Sequence, residues 1–174
     1  MASKIAIQRL TNANIYMDGA NLLGRAEEIS LPEIKMKMSE HKALGLVGTI
    51  ETASGVEKLE SKIKWTSFYP DVIKKAGNPF KPVQLQVRAS IQIYEGGGVI
   101  REAPVVVLLT GTFKKFPFGN FKQHDNAESE SELSCTYVKQ TIDGEDMIEF
   151  DVLANIYKVG GVDILADYRT NTGA

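Results

Sequence analysis

The sequence predicts a mainly-β fold, a sandwich or barrel-like domain with one short packed helix, and three observations carry that expectation. Residues 81–94 alternate without a break, with Val83, Leu85, Val87, Ala89, Ile91 and Ile93 on one face and Gln84, Gln86, Arg88, Ser90 and Gln92 on the other. Period two sustained over this length is the pattern of a strand with one buried face. Turn sequences separate such runs: Asp18-Gly19, Gly96-Gly97-Gly98 and Asp143-Gly144 all tolerate positive φ. Helical patterning is scarce, confined to residues 70–77 and 163–169.

Taken in chain order, Asp18-Gly19 joins short apolar pieces at 15–17 and 21–23. Residues 33–38 set Ile34, Met36 and Met38 against Glu33, Lys35 and Lys37; residues 58–65 set Leu59, Ile63 and Trp65 against Lys58, Glu60, Lys62 and Lys64. The latter strand is expected to expose an edge. Pro70-Asp71 at the start, Lys74-Lys75 at the end and a closing Gly77 predict a helix of about two turns. After the strand at 81–94, the β-branched run 99–116 reads as the return strand of a long hairpin. Residues 130–140 place Leu133, Cys135 and Tyr137 opposite Glu130, Glu132, Ser134 and Thr136. Asp143-Gly144 turns into a strand from Met147 to about Tyr157, and Asp163 caps a second short helix in the C-terminal segment 163–174. The chain reads as one domain, 1–174.

Two connections, 39–56 and 117–129, are long for a compact domain, and such loops are usually functional or disordered. The first carries Leu44, Leu46, Val47 and Ile50 among flexible glycines. Those side chains are costly to leave in water, so this extended loop either folds back on its own core or docks on another subunit.

Composition narrows the function. The 174 residues are 43% hydrophobic and 24% charged, with 20 basic residues against 22 acidic and a net charge of −2. A chain that grips nucleic acid through phosphates carries a basic excess, so any DNA is held loosely. The longest apolar run, 105–109, is far short of the roughly 20 residues of a membrane span, and Met1-Ala2-Ser3-Lys4 lacks the apolar stretch of an export signal. No membrane anchor and no export are expected. A single cysteine excludes an internal disulfide and paired-cysteine metal frameworks.

The residues offer no convincing active site. His41 and His124 lie in polar stretches with no marked nucleophile beside them, and Cys135 falls on an apolar strand face as an inert thiol. Gly96–Gly98 lacks the lysine and hydroxyl of a phosphate loop, and Asp143, Glu145 and Asp146 lack the alternating ligands of a calcium loop. Neither an enzymatic activity, nor a metal, nor a cofactor is expected.

Specific segments then resemble the major tail tube proteins of contractile-tail bacteriophages, a family shared with R-type bacteriocins. Asn14-Ile15-Tyr16-Met17-Asp18-Gly19 is similar to the family's first strand and turn, and Ile29-Ser30-Leu31-Pro32-Glu33-Ile34-Lys35-Met36-Lys37 to the segment that follows. Glu40 and Gly45 open the long loop. The C-terminal match is strongest: Cys135-Thr136-Tyr137-Val138-Lys139, Ile142-Asp143-Gly144-Glu145, Ile148-Glu149-Phe150-Asp151, Asn155-Ile156-Tyr157-Lys158-Val159 and Gly161-Val162-Asp163-Ile164-Leu165, closed by Arg169, Asn171 and Gly173. The likeness covers essentially the whole chain. It departs after Lys114-Lys115, where Phe116-Pro117-Phe118-Gly119-Asn120-Phe121 replaces an acidic, glycine-containing turn.

The resemblance implies a structural subunit that forms six-membered rings stacked into the inner tube of a contractile tail. Sheath, baseplate and tail terminator proteins would be partners, and DNA a transient passenger during ejection. The particle would be a virion tail assembled in the host cytoplasm. An inner tube of a bacterial contractile secretion or bacteriocin apparatus is the alternative, and a β-sandwich enzyme or ligand binder the reading of a different class. Under the tube reading, Leu44, Leu46, Val47 and Ile50 are expected between rings. Lys35, Lys37, Glu60, Lys62, Glu130 and Glu132 are the candidates for the lumen, where each lysine should be offset by an acid so that DNA passes without sticking.

Overall fold

The structure, a computed structural model, describes residues 5–125 and 127–173; Met1–Lys4, read above for an export signal, lie outside the described residues. It is mainly β, as the alternation predicts. The described strands are β1 (Ile7–Met17), β2 (Ala20–Asn21), β3 (Ala26–Ser30), β4 (Met36–His41), β5 (Ile50–Val56), β6 (Leu59–Trp65), β7 (Val83–Glu95), β8 (Gly98–Lys115), β9 (Ser129–Ile142), β10 (Glu145–Asp151), β11 (Ile156–Val159) and β12 (Val162–Asp163), with helices α1 (Pro70–Ala76) and α2 (Ala166–Thr172). Among the described residues ten strands join into one antiparallel sheet, while β4 and β5 pair only with each other.

The long hairpin β7–β8 is the backbone of the sheet. Gly96 and Gly97 both take positive φ at its tip, the geometry a two-residue turn needs to follow the strand twist. Alternation then holds: Val83, Leu85 and Val87 of β7 and Val105, Val107, Leu109 and Phe113 of β8 are buried. β9 runs along β8, and its other side is shared: Ser129–Cys135 pair with β6, and Tyr137–Ile142 with β10. The sheet therefore forks at β9, and Leu59, Ile63 and Trp65 of β6 close over the core that Leu133 and Cys135 complete. Helix α1 adds Val72 and Ala76 to that core, and Arg25 holds its first turn through Asp71 at 2.5 Å.

Several expectations need correction. The 39–56 segment is not an unstructured loop: its two ends form the hairpin β4–β5, with Met36 opposite Val56 and His41 opposite Ile50. Threonine, serine and a glycine bulge disguise the second strand, since 50–56 is exposed almost throughout and shows no apolar face. The strand predicted from Met147 to Tyr157 is two strands, because Asp151 accepts hydrogen bonds from the Leu153 and Ala154 amides and turns the chain before Asn155 at φ 51°. Tyr137 does not share the inner face with Cys135. A bulge on β9, opposite Thr110/Gly111, shifts the parity, so Val138 points inward and the Tyr137 hydroxyl donates to Glu149. The second helix starts at Ala166, and Asp163 instead accepts from the Leu165 amide and pairs with Arg169. Strand β6 is paired on both sides from Lys62 to Trp65, with Lys62 opposite Ser30 on one side and Glu132 on the other, and so exposes no edge there.

Candidate assembly surfaces

Four of the six expected lumen residues meet on the polar face of β6, β8 and β9. Adjacent strands put Lys62 opposite Glu132 and Glu60 opposite Ser134, and Lys114 and Lys115 of β8 join from beyond β9. Lys114 reaches Glu60 at 2.6 Å and Glu132 at 3.1 Å, Lys62 lies between Glu130 and Glu132, and Lys58 reaches Glu60 at 2.7 Å. At the end of the strands Lys64 bridges Glu27 and Glu128. Five lysines (58, 62, 64, 114, 115) thus meet five glutamates (27, 60, 128, 130, 132). The Lys114 hydrogen bond, seconded by Lys58, brings the Glu60 carboxyl down to about 2, and the same lysine lowers Glu132. These groups are exposed, so their pairing sets charge balance more than stability.

Lys35 stands at the margin of this face, sharing a shallow depression with Glu57, Lys58, Glu60 and Lys62, and pairs with Glu33 at 2.9 Å. Lys37 lies apart, within β4. On its other side the same face turns to amides and hydroxyls, with Gln84 opposite Thr110 and Thr112 opposite Ser134, and farther along it carries Arg88, over the Tyr16 ring at 5.6 Å, and Lys139, paired with Asp146 at 2.7 Å. Lys114 and Lys115 were not among the expected residues, since only the pairing of β8 with β9 brings them to Glu132.

The hairpin β4–β5 carries the residues expected at a contact between subunits. Leu44 and Val47 are fully exposed at its tip, and Leu46 and Ile50 are about half exposed. They do not fold back on the core. Met36 and Met38 extend the apolar exposure down one strand. Two-stranded hairpins are marginal in water on their own; this one sets Glu40 opposite Glu51, and Lys42 offsets that like-charge pair by reaching Glu40 at 3.0 Å.

At the base of the hairpin lies a groove of ≈ 700 Å³. Buried Leu59, Cys135 and Phe150 form its floor, and exposed Met36, Val152 and Tyr168 its rim. Burial pushes the Cys135 thiol up to about 12, which leaves it protonated and unreactive at neutral pH. Sequence reading had no means of finding this groove, because its walls come from β5, β6, β9, β10 and α2.

Sheet edges are the last surface. Among the described residues, 7–13 of β1 pair with β7 on one side and with nothing on the other, since β2 reaches only Tyr16 and Met17. Among them, strand β3 likewise pairs with β6 alone. Such edges are templates for another strand. Strand β1 escaped sequence reading over most of its length because residues 7–13 are exposed on both faces and show no alternation.

His41 and His124 are both exposed, and among the described residues no three His, Cys, Asp or Glu side chains group as metal ligands would. No described helix is long and apolar enough to cross a membrane.

Comparison with known proteins gives these exposed surfaces a family context. Residues 7–173 match the family described as phage tail tube protein FII. The tail tube protein of Escherichia phage P2 is 27% identical over 170 residues, covering 95% of this chain and 97% of that protein. The major tail tube protein of Serratia phage KSP20 is 24% identical over 162 residues, 92% of each. The chain belongs to the phage tail tube protein family, as a structural component of the virion tail and not an enzyme.

Proposed function

We propose that the chain forms six-membered rings that stack into the inner tube of a contractile tail and serve as the conduit for DNA ejection. The observation that carries this reading is the β4–β5 hairpin, which projects an apolar tip where Leu44 and Val47 are wholly exposed and Leu46 and Ile50 about half exposed. Tube subunits need a surface complementary to the next ring, because a head-to-tail interface propagates into a filament when nothing closes it along the axis. The hairpin makes that contact between rings. Within a ring, the free edges of β1 and β3 join neighbouring sheets by backbone pairing.

The polar face of β6, β7, β8 and β9 then lines the bore. Its support is the charge balance: lysines 62, 114 and 115 each lie within reach of a glutamate, Gln84, Gln86, Thr110 and Thr112 add amides and hydroxyls, and Arg88 of β7 lies over the Tyr16 ring. A bore of that composition neutralises few phosphates and lets DNA slide. Lys35 sits at its margin, while Lys37, on the hairpin, belongs with the ring-to-ring contact. Sheath protein surrounds the tube, with baseplate and terminator proteins at its ends, and assembly takes place in the host cytoplasm.

Electron microscopy of the purified protein tests the reading. Hollow filaments whose cross-sections classify as six-fold support it. Compact monomers at high concentration, or filaments with a solid axis, overturn it.

A further inference from the structure

We propose that the apolar groove walled by the hairpin base, β10 and α2 is the receptor into which a second copy of this chain inserts the tip of its own β4–β5 hairpin. The inference rests on the tube reading above and specifies the contact surface that reading leaves open. Three observations carry it. The first is complementarity within one chain: an apolar projection, with Leu44 and Val47 wholly exposed, and an apolar concavity floored by Leu59 and Phe150. A head-to-tail interface requires such a pair of unlike surfaces on every subunit.

The second is reach. Met36 lies on the rim of the groove, and five residues of extended strand separate it from His41. At about 3.3 Å per residue, the tip stands about 17 Å from its own groove. It cannot fill that groove without breaking the hairpin, so the occupant comes from another subunit. The third is the weakness of the hairpin by itself. Among the described residues it has no third strand, and it exposes Met36 and Met38. An excursion so poorly supported becomes ordered when its tip is buried against another surface.

The groove, at ≈ 700 Å³, lies in the size range of small-molecule sites, about 300–1,000 Å³, and has room for a few side chains. A free apolar ligand is the competing occupant. A further consequence is directional: since tip and receptor differ, each subunit donates once and accepts once, and contacts made this way chain without limit.

The test uses the full-length protein with a photo-reactive phenylalanine analogue at position 47, where the side chain is wholly exposed and a substitution leaves the fold intact. Assembled tubes are illuminated, digested and mapped by mass spectrometry. We expect adducts between subunits on peptides containing Met36, Val152 or Tyr168, appearing as a ladder of multimers on denaturing gels. Adducts elsewhere on the neighbour, or only within one subunit, in tubes of normal appearance overturn the groove assignment and leave the tube reading standing. Unmodified protein that never polymerises overturns both. In parallel, Val152→Trp at the rim should yield folded, soluble subunits that no longer stack. Normal tubes from that variant, or an apolar dye that still binds the groove in wild-type tubes, would count against tip insertion.

Discussion

Gly111 lies where the β8–β9 register shifts, opposite Cys135, and its backbone faces the neighbouring strand at close quarters. A Cβ built there would sit 2.1 Å from the Ser134 carbonyl oxygen and 2.8 Å from the Cys135 Cα. The closest approach real Cβ atoms make is about 3.0 Å, so Gly111→Ala must part the strands by about 0.9 Å at that point. The obstruction is backbone and cannot swing aside as a side chain would. Overpacking of this kind costs about 1–3 kcal/mol. Stretching about two ladder hydrogen bonds adds about 0.5–1.5 kcal/mol each. Alanine returns about 0.4–1 kcal/mol by restricting the unfolded chain, leaving a central expectation of about 3 kcal/mol of destabilisation. For a domain of this size each kcal/mol moves the midpoint by about 2–4 °C, so Tm should fall by about 6–12 °C. The assay is thermal unfolding of dilute, unassembled subunits, because self-association raises apparent stability. Gly98→Ala is the control: nothing lies within 4 Å of its Cβ position, and its Tm should stay level or rise slightly. A Gly111→Ala midpoint within about 1 °C of wild type would refute the reasoning.

Four further outcomes follow from other contacts. Ser131→Ala should cost about 1–3 kcal/mol in urea unfolding, because the buried Trp65 indole N–H loses the hydroxyl that accepts it at 2.9 Å. The Glu60 carboxyl titrates at about 2 in the fold against an ordinary 4.5, so its contribution is complete above about pH 4.5 and disappears as pH falls toward 2. Glu60→Gln should accordingly flatten the decline of Tm across that window. Cys135, held protonated by burial with its thiol at about 12, should react with a thiol reagent at pH 8 only after denaturant is added; prompt labelling of the folded subunit would contradict its place in the core. Replacing 44–50 with a short Gly/Ser linker should leave folding intact while polymerisation is lost on electron micrographs, and normal tubes would show that the tip is dispensable.

How much was legible depended on whether a residue's environment is set locally. The β7–β8 hairpin was readable because its alternation and Gly96-Gly97 turn lie within contiguous sequence, and α1 because Pro70, Asp71 and Gly77 mark its ends. The apolar tip residues were recognisable as misplaced for a monomer. The hairpin that carries them was not, since β5 holds no alternating apolar face. Likewise Tyr137 was assigned inward by simple parity, and only the bulge across from Gly111 turns it out toward Glu149.

By itself, the order of residues determined the mainly-β class, the principal turns, the absence of a basic excess and the apolar cluster at 44–50. Each follows from composition or from a period of a few residues, which the chain imposes wherever it goes. Tertiary structure alone decided that β6 is an interior strand, that Lys114 offsets Glu60 and Glu132, and that Leu59, Phe150 and Tyr168 enclose one groove. Those facts depend on which strands become neighbours. Pairing of strands distant in the chain is chosen by the burial of the whole sheet, and no local pattern encodes it.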